Sequence, residues 1–250
     1  MNSKKLIAYI IRIILWVLVI SFFWWAISGG MFGKIFAEPT KFKELLTQHL
    51  HLVSISAGLA ILTSVPLGIL VTRPRFRRSE WLIVNIANLG QTIPSLAVLA
   101  LAMGFLGIGL KAAIVALYIY SLLPILQNTI AGLDSVRPEM KDAAKGMGLT
   151  PLQVLFRIEL PSASASILAG IRTAVVLNIG TAALAYLIGG GGLGVWIFTG
   201  IQLFDNQTLI SGAIPVTLLA VLVDFGFRGI QYLLVPKGIR LARKAAIEST

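Results

Sequence analysis

The side chains capable of chemistry are few and widely spaced. His49 and His51 are two apart, cysteine is absent, and the nearest carboxylate is Glu44. Positions two apart do not share a helix face, so a metal site is poorly served. Asp224 and Arg228 are four apart and can pair on one helix face. A lone pair is a poor proton relay, and structural pairing is the better reading. The run Gly189–Gly194 satisfies the spelling G-x-G-x-x-G. A nucleotide loop of that kind needs a strand before it, and here a long apolar segment precedes it. Its glycines instead permit a tight turn with close backbone approach. No Ser/His/Asp set, P-loop or paired acids is visible, so this chain is not expected to be an enzyme.

The elements that carry these residues are apolar. Of 250 residues, 57% are hydrophobic and 12% charged. A soluble domain carries roughly twice that share of charge, and too little remains here to cover a water-facing surface. Disorder is excluded by the apolar content and a disulfide scaffold by the lack of cysteine. The expected class is an all-α polytopic membrane protein forming a single domain over 1–250. Six runs are long enough to span: Leu6–Ser28, Leu52–Val71, Leu82–Phe105, Ala112–Leu133, Ile167–Ile188 and Thr208–Arg228, the last extending toward Val235. Core spans thus cover 52–235, with an additional N-terminal helix at 6–28.

Orientation follows from the basic residues. With the N-terminus inside, only Lys34, Lys41, Lys43 and Lys111 fall outside, against 17 of the 21 Lys and Arg inside. Both termini are therefore expected to be cytoplasmic. The net charge of +11 is then topogenic and attractive to anionic membrane lipid, and nucleic-acid binding is not expected. A cleaved signal peptide is the rival reading of the first helix, but the apolar stretch after Arg12 runs about 16 residues, longer than a usual signal core. Loop 29–51 lies outside and has the composition for a small surface helix. On this orientation Gly189, Gly191, Gly192, Gly194 and Trp196, with Phe198 and Phe204, form a candidate outer gate or receptor-contact surface.

The longest inner loop is 134–166. Pro138 and Glu139 suit the first turn of a helix, Lys141 and Lys145 share a face, and Gly148 suits a left-handed stop. Thr150, Pro151 and Gln153 form a second N-terminus with a capping box, and Pro161 breaks or restarts that helix before the fifth span. Two capped helices joined by a glycine bend either pack under their own spans or fit a groove on a soluble partner. The residues alone leave both open.

Polar side chains inside spans are costly and are functional candidates. The third span has Asn85, Asn88, Gln91, Thr92, Pro94 and Ser95; the fourth Gln127 and Asn128; the fifth Arg172, Thr173 and Asn178. Each taken singly suits interhelical hydrogen bonding. As a set, Asn88, Gln91, Thr92, Pro94, Ser95, Gln127, Asn128 and Asn178 suit the lining of a translocation path. Arg172, near the inner end, is placed to snorkel.

The run Asp142-Ala143-Ala144-x3-Gly148-x9-Ile158-x-Leu160-Pro161 resembles the EAA motif of bacterial ABC importer permeases, with Asp where the pattern has Glu. Gln91–Ala97, Leu123–Thr129, Ala169–Thr173 and Ile188–Gly194 are similar to its osmoprotectant branch, which imports glycine betaine, choline and carnitine. The resemblance covers about Leu52 to Gly238. It implies a type I importer permease fold in the bacterial cytoplasmic membrane. It implies that Asp142, Ala143, Ala144, Gly146, Gly148, Ile158, Leu160 and Pro161 dock on a dimeric ATPase subunit, which holds the ATP and Mg; no cofactor is expected in this chain. It further implies a second permease chain, identical or homologous, and an extracytoplasmic solute-binding protein. Selectivity is expected to lie largely in that protein, since the spans hold no clustered aromatic cage apart from Tyr118, Tyr120, Tyr186 and Trp196 as candidates. Rival readings are import of another small polar solute, or a channel or carrier working without ATP.

Overall fold

Apolar runs without alternation fold as helices, because a helix satisfies every backbone group internally in lipid. The computed structural model describes residues 3–236, and the described residues contain helices and turns only. The helices are α1 (Ser3–Ser28), α2 (Gly33–Ala37), α3 (Pro39–Val71), α4 (Glu80–Thr92), α5 (Ser95–Leu106), α6 (Leu110–Asp134), α7 (Pro138–Gly146), α8 (Pro151–Val154), α9 (Leu160–Thr181), α10 (Gly194–Leu203) and α11 (Asn206–Leu234). The basic residues Lys237, Arg240, Arg243 and Lys244 lie outside the described residues.

Five helical stretches are long and apolar enough to cross a membrane, and α4 with α5 makes a sixth, bent by 101° at its break. The third span, expected over 82–105, is thus interrupted at Pro94. Pro94 forces its predecessor out of the helical region, and Ile93 sits at ψ 132°. The pair still crosses. Arg77, just before α4, forms a bidentate pair with Asp134 at the end of α6, at 2.8 and 2.9 Å. At its other limit α5 reaches Leu106, four residues before the start of α6. The chain thus returns over the whole length of α6.

Helix α6 is the central post, packed by α3, α4, α5 and α9. Small residues let backbones approach at these crossings. A Cβ on Gly170 of α9 would stand 2.6 Å from the Pro124 carbonyl oxygen of α6, and one on Gly68 of α3 2.7 Å from Thr129. The second span begins at Pro39, well before Leu52, so most of the expected outer loop is helix. α1 stands apart: from Tyr9 to Trp25 every side chain is exposed except a partly covered Phe23. It is tied at its end, where Ser211 donates to the Met31 carbonyl at 2.9 Å and Gln207 to that of Gly30 at 3.0 Å.

Candidate functional site

The α6–α9 loop folds as its local sequence dictates. α7 starts at Pro138 in the first turn and ends in paired bonds, Gly148 N–H to the Lys145 carbonyl at 2.9 Å and Leu149 N–H to that of Ala144 at 3.1 Å. Those bonds need a left-handed residue, and Gly148 has φ +79°. The Thr150–Gln153 capping box is formed, with the Thr150 N–H donating to Gln153 Oε1 at 2.8 Å.

Of the break or restart expected at Pro161, the break does not occur: α9 restarts at Leu160 with the proline in its first turn. Helix runs from Pro151 to Ile188 without interruption, with one wide π-helical turn at Leu155–Glu159. A proline ring clashes with the carbonyl four residues back, here Arg157, and lacks the N–H to bond it; widening the preceding turn relieves both. Non-helical loop shrinks to short pieces around α7.

The motif residues divide by exposure. Asp142, Ala143, Gly146 and Gly148 are exposed, Ile158, Leu160 and Pro161 are partly buried, and Ala144 is 1% exposed. Around the bend, Met147, Leu152 and Phe156 all stand exposed.

Beneath this surface lies a charge cluster that the sequence reading overlooked. Glu159, last residue of the π turn, is 4% exposed. Arg73 Nη1, at the end of α3, is 2.7 Å from its Oε2, and Lys141 Nζ on α7 is 3.3 Å from its Oε1. Arg73 is itself anchored by Nε to the Ile69 carbonyl at 3.2 Å. Lys141 also reaches the Leu133 carbonyl of α6 at 3.4 Å. The sequence signal was available: one acid between two apolar residues, Ile158 and Leu160, beside a proline.

In the spans, the predicted polar residues separate into struts and exposed groups. Pro124 has no N–H, which leaves the Tyr120 carbonyl free, and Gln91 Nε2 donates to it at 3.0 Å. The Tyr120 hydroxyl donates in turn to the Ile93 carbonyl at the α4–α5 break. Gln91 is thus a latch. Asn178 is 1% exposed and donates to Ser56 Oγ on α3 at 2.8 Å. It is a strut within the chain and lines no open path here. Asn128 donates to its own helix at the Pro124 carbonyl, 2.8 Å away. Asn88, Thr92, Pro94 and Gln127 are exposed, and Ser95 partly so. Arg172 does not simply snorkel: it pairs with Asp224, which also accepts from Arg228 at 2.9 Å, joining α9 to α11.

At the opposite end the glycine turn packs inward. Gly192 N–H donates to Gln48 Oε1 at 3.0 Å, and Gly109 N–H to the Ile188 carbonyl at 2.8 Å. A Cβ on Gly194 would lie 1.9 Å from the Ala183 carbonyl oxygen, so only glycine fits. Gly191 and Gly192 are left-handed, and Gly189 is exposed. Trp196 is 4% exposed and stacks on Phe42 with centroids 5.9 Å apart. It belongs to the core and not to a contact surface. Phe204 is an exposed aromatic here, 93% exposed and left-handed at φ +55°. His49 is buried with Nε2 at 3.0 Å from the Ile179 carbonyl, and no cluster of three metal-ligating side chains exists among the described residues.

Five or six apolar spans around a central post, with a capped loop at one end, make a polytopic membrane protein, and the family match says of which kind. Residues 64–239 match the family described as "Binding-protein-dependent transport system inner membrane component". The chain belongs to this family, the permeases of ABC importers, and is a multi-pass inner-membrane protein. It is 42% identical over 193 residues to the choline transport system permease protein OpuBB of Bacillus subtilis, covering 77% of this chain and 88% of that one. It is 43% identical over 202 residues to the osmoprotectant import permease protein OsmW of Salmonella typhimurium, covering 79% and 93%. The fold matches the permease of the inward-facing MetNI methionine ABC transporter with TM-score 0.70, at 22% identity, over 78% of this chain and 96% of that one.

Proposed function

We propose that this chain is the permease through which an ATP-driven importer moves a quaternary-amine compatible solute such as glycine betaine, choline or carnitine. One observation carries the ATP-driven reading: Met147, Leu152 and Phe156 stand exposed around Gly148, in a loop too short and charged to insert in lipid. Apolar surface at that place calls for a soluble partner. The partner is an ATPase dimer, which binds and hydrolyses the Mg–ATP, and Asp142, Ala143, Gly146 and Gly148 meet it directly. The solute class rests on the names of the relatives.

The loop end faces the cytoplasm, and both termini with it. Asn85, Asn88 and Thr92 follow one face of α4 and are exposed. Lipid does not tolerate amides, so a second permease chain and a hydrated path between the two cover them. Gln127 and Ser95 join that path. A solute-binding protein delivers cargo at the Phe204 end, and closure of the ATPase dimer switches access through the loop.

The test is uptake into proteoliposomes holding this permease with its ATPase and binding protein. Labelled choline, betaine and carnitine should enter only with internal ATP, and unlabelled quaternary amines should compete. Entry without ATP would sink the ATPase reading. ATP-driven entry of another solute, with no competition by quaternary amines, would sink the solute class.

A further inference from the structure

Glu159 is the only buried carboxylate among the described residues. Its two cations come from different elements. Arg73 closes α3 and is fixed there by its own bonds to the Ile69 carbonyl and to Thr72 Oγ1. Lys141 sits in the middle of α7. Glu159 itself ends the π turn at the root of α9. One carboxylate thus holds the end of one span, the root of another and the loop helix between them.

We infer that Glu159 is a positioning residue, the joint through which displacement of α7 is passed to α3 and α9. The inference rests on the reading of α7 as the ATPase-docking helix. Four features support it. Drawing either cation away leaves the buried carboxylate with half its compensation in a poorly hydrated place, which favours the three groups moving together. Glu159 closes a π turn, a widened geometry found often at functional sites. A cleft of about 490 Å³, lined by Thr72, Arg73, Lys141 and Val154 among others, opens beside the cluster and leaves α7 room to shift. The Arg73 contact is an ion pair without hydrogen-bond alignment, so it can persist as the angle between the elements changes.

A static brace would support folding and nothing else; a joint sets how much solute moves for each ATP spent. The reconstituted complex separates these. Glu159→Gln and Lys141→Met are each expected to bind the ATPase at parent level and to hydrolyse ATP. Solute moved per ATP should fall at least fivefold in both. Lys141→Arg keeps the cation and should stay within twofold of the parent. Should Glu159→Gln fail to assemble, Lys141→Met decides alone, since Glu159 then keeps Arg73. Overturning results are a Lys141→Met complex with the parent ratio, or one in which transport and hydrolysis decline in equal proportion. A parent complex without ATP-driven uptake would instead overturn the proposed function, and this inference with it.

Discussion

At Gly148 no heavy atom lies within 4 Å of where a Cβ would stand, yet φ is +79°. Substitution there meets a conformational penalty and no clash. A β-branched side chain in that conformation costs about 1–3 kcal/mol. Gly148→Val is therefore expected to insert normally but to lose ATPase binding or ATP-driven uptake; uptake at the parent rate would refute it. The two alanines of the motif behave differently. Ala143 is exposed and Ala144 buried within the chain, so Ala143→Trp should block docking while leaving the melting temperature unchanged. Ala144→Trp should destabilise the permease itself before any partner is added. Copurification and thermal melts on both variants read the difference. Asp205 supplies a pH-dependent contribution. Its bonds from the Thr208 hydroxyl, and from the N–H groups of Thr208 and Gln207, hold its carboxyl below the usual carboxylate range. A carboxyl depressed on folding stabilises above its unfolded value, about 3.9, and that contribution is lost as pH falls through the folded one. Melts of Asp205→Asn should show a shallower acid slope than the parent; parallel slopes would refute the assignment.

Among the elements, the broken third span shows how neighbours complete what sequence begins. Pro94 announces a break, and the local rule gives the extended Ile93. What it cannot give is the 101° angle, because that is set by Tyr120 and Gln91 reaching across from and to α6. Tyr120→Phe leaves the Ile93 carbonyl unpaired in an apolar setting, at a cost of about 1–3 kcal/mol. A lowered melting temperature in detergent is expected, and an unchanged one would show the carbonyl satisfied by other means. The same division runs through the chain. Long apolar runs, the caps at Pro138 and Thr150 and the stop at Gly148 are local signals and were legible. At Pro161 the local rule allows a break or a restart, and relief by a π turn depends on how α9 is seated. Asn178, Gln91 and Trp196 were read as pathway or gate because their burial is decided by the packing of α3, α6 and α9. Glu159 was passed over since a charged loop residue usually faces water, and only the folded ends of α3 and α7 bring cations to it.

For the whole molecule, topology is the first thing to test. Reporter fusions at Thr250 and within 29–38 should report cytoplasmic and extracytoplasmic locations respectively. An extracytoplasmic C-terminus would overturn the six-span arrangement and the docking surface together. The exposed polar face of α4 makes a second demand at this scale. A monomer would present amides to hydrocarbon, so the permease should purify as a pair of chains, and charge added at Asn88 should impair uptake more than the conservative Asn88→Gln.

The isolation of α1 carries its own consequence. Membrane proteins assemble in two stages, insertion of single helices and then their lateral association. Within this chain α1 gains nearly all its stability from the first stage, by partition into lipid, and almost none from the second. Selection on its sequence should therefore act on length and oiliness and leave residue identity drifting. Exchange of its apolar stretch for a plain leucine segment is expected to leave both the melting transition and transport of the remaining helices where they were.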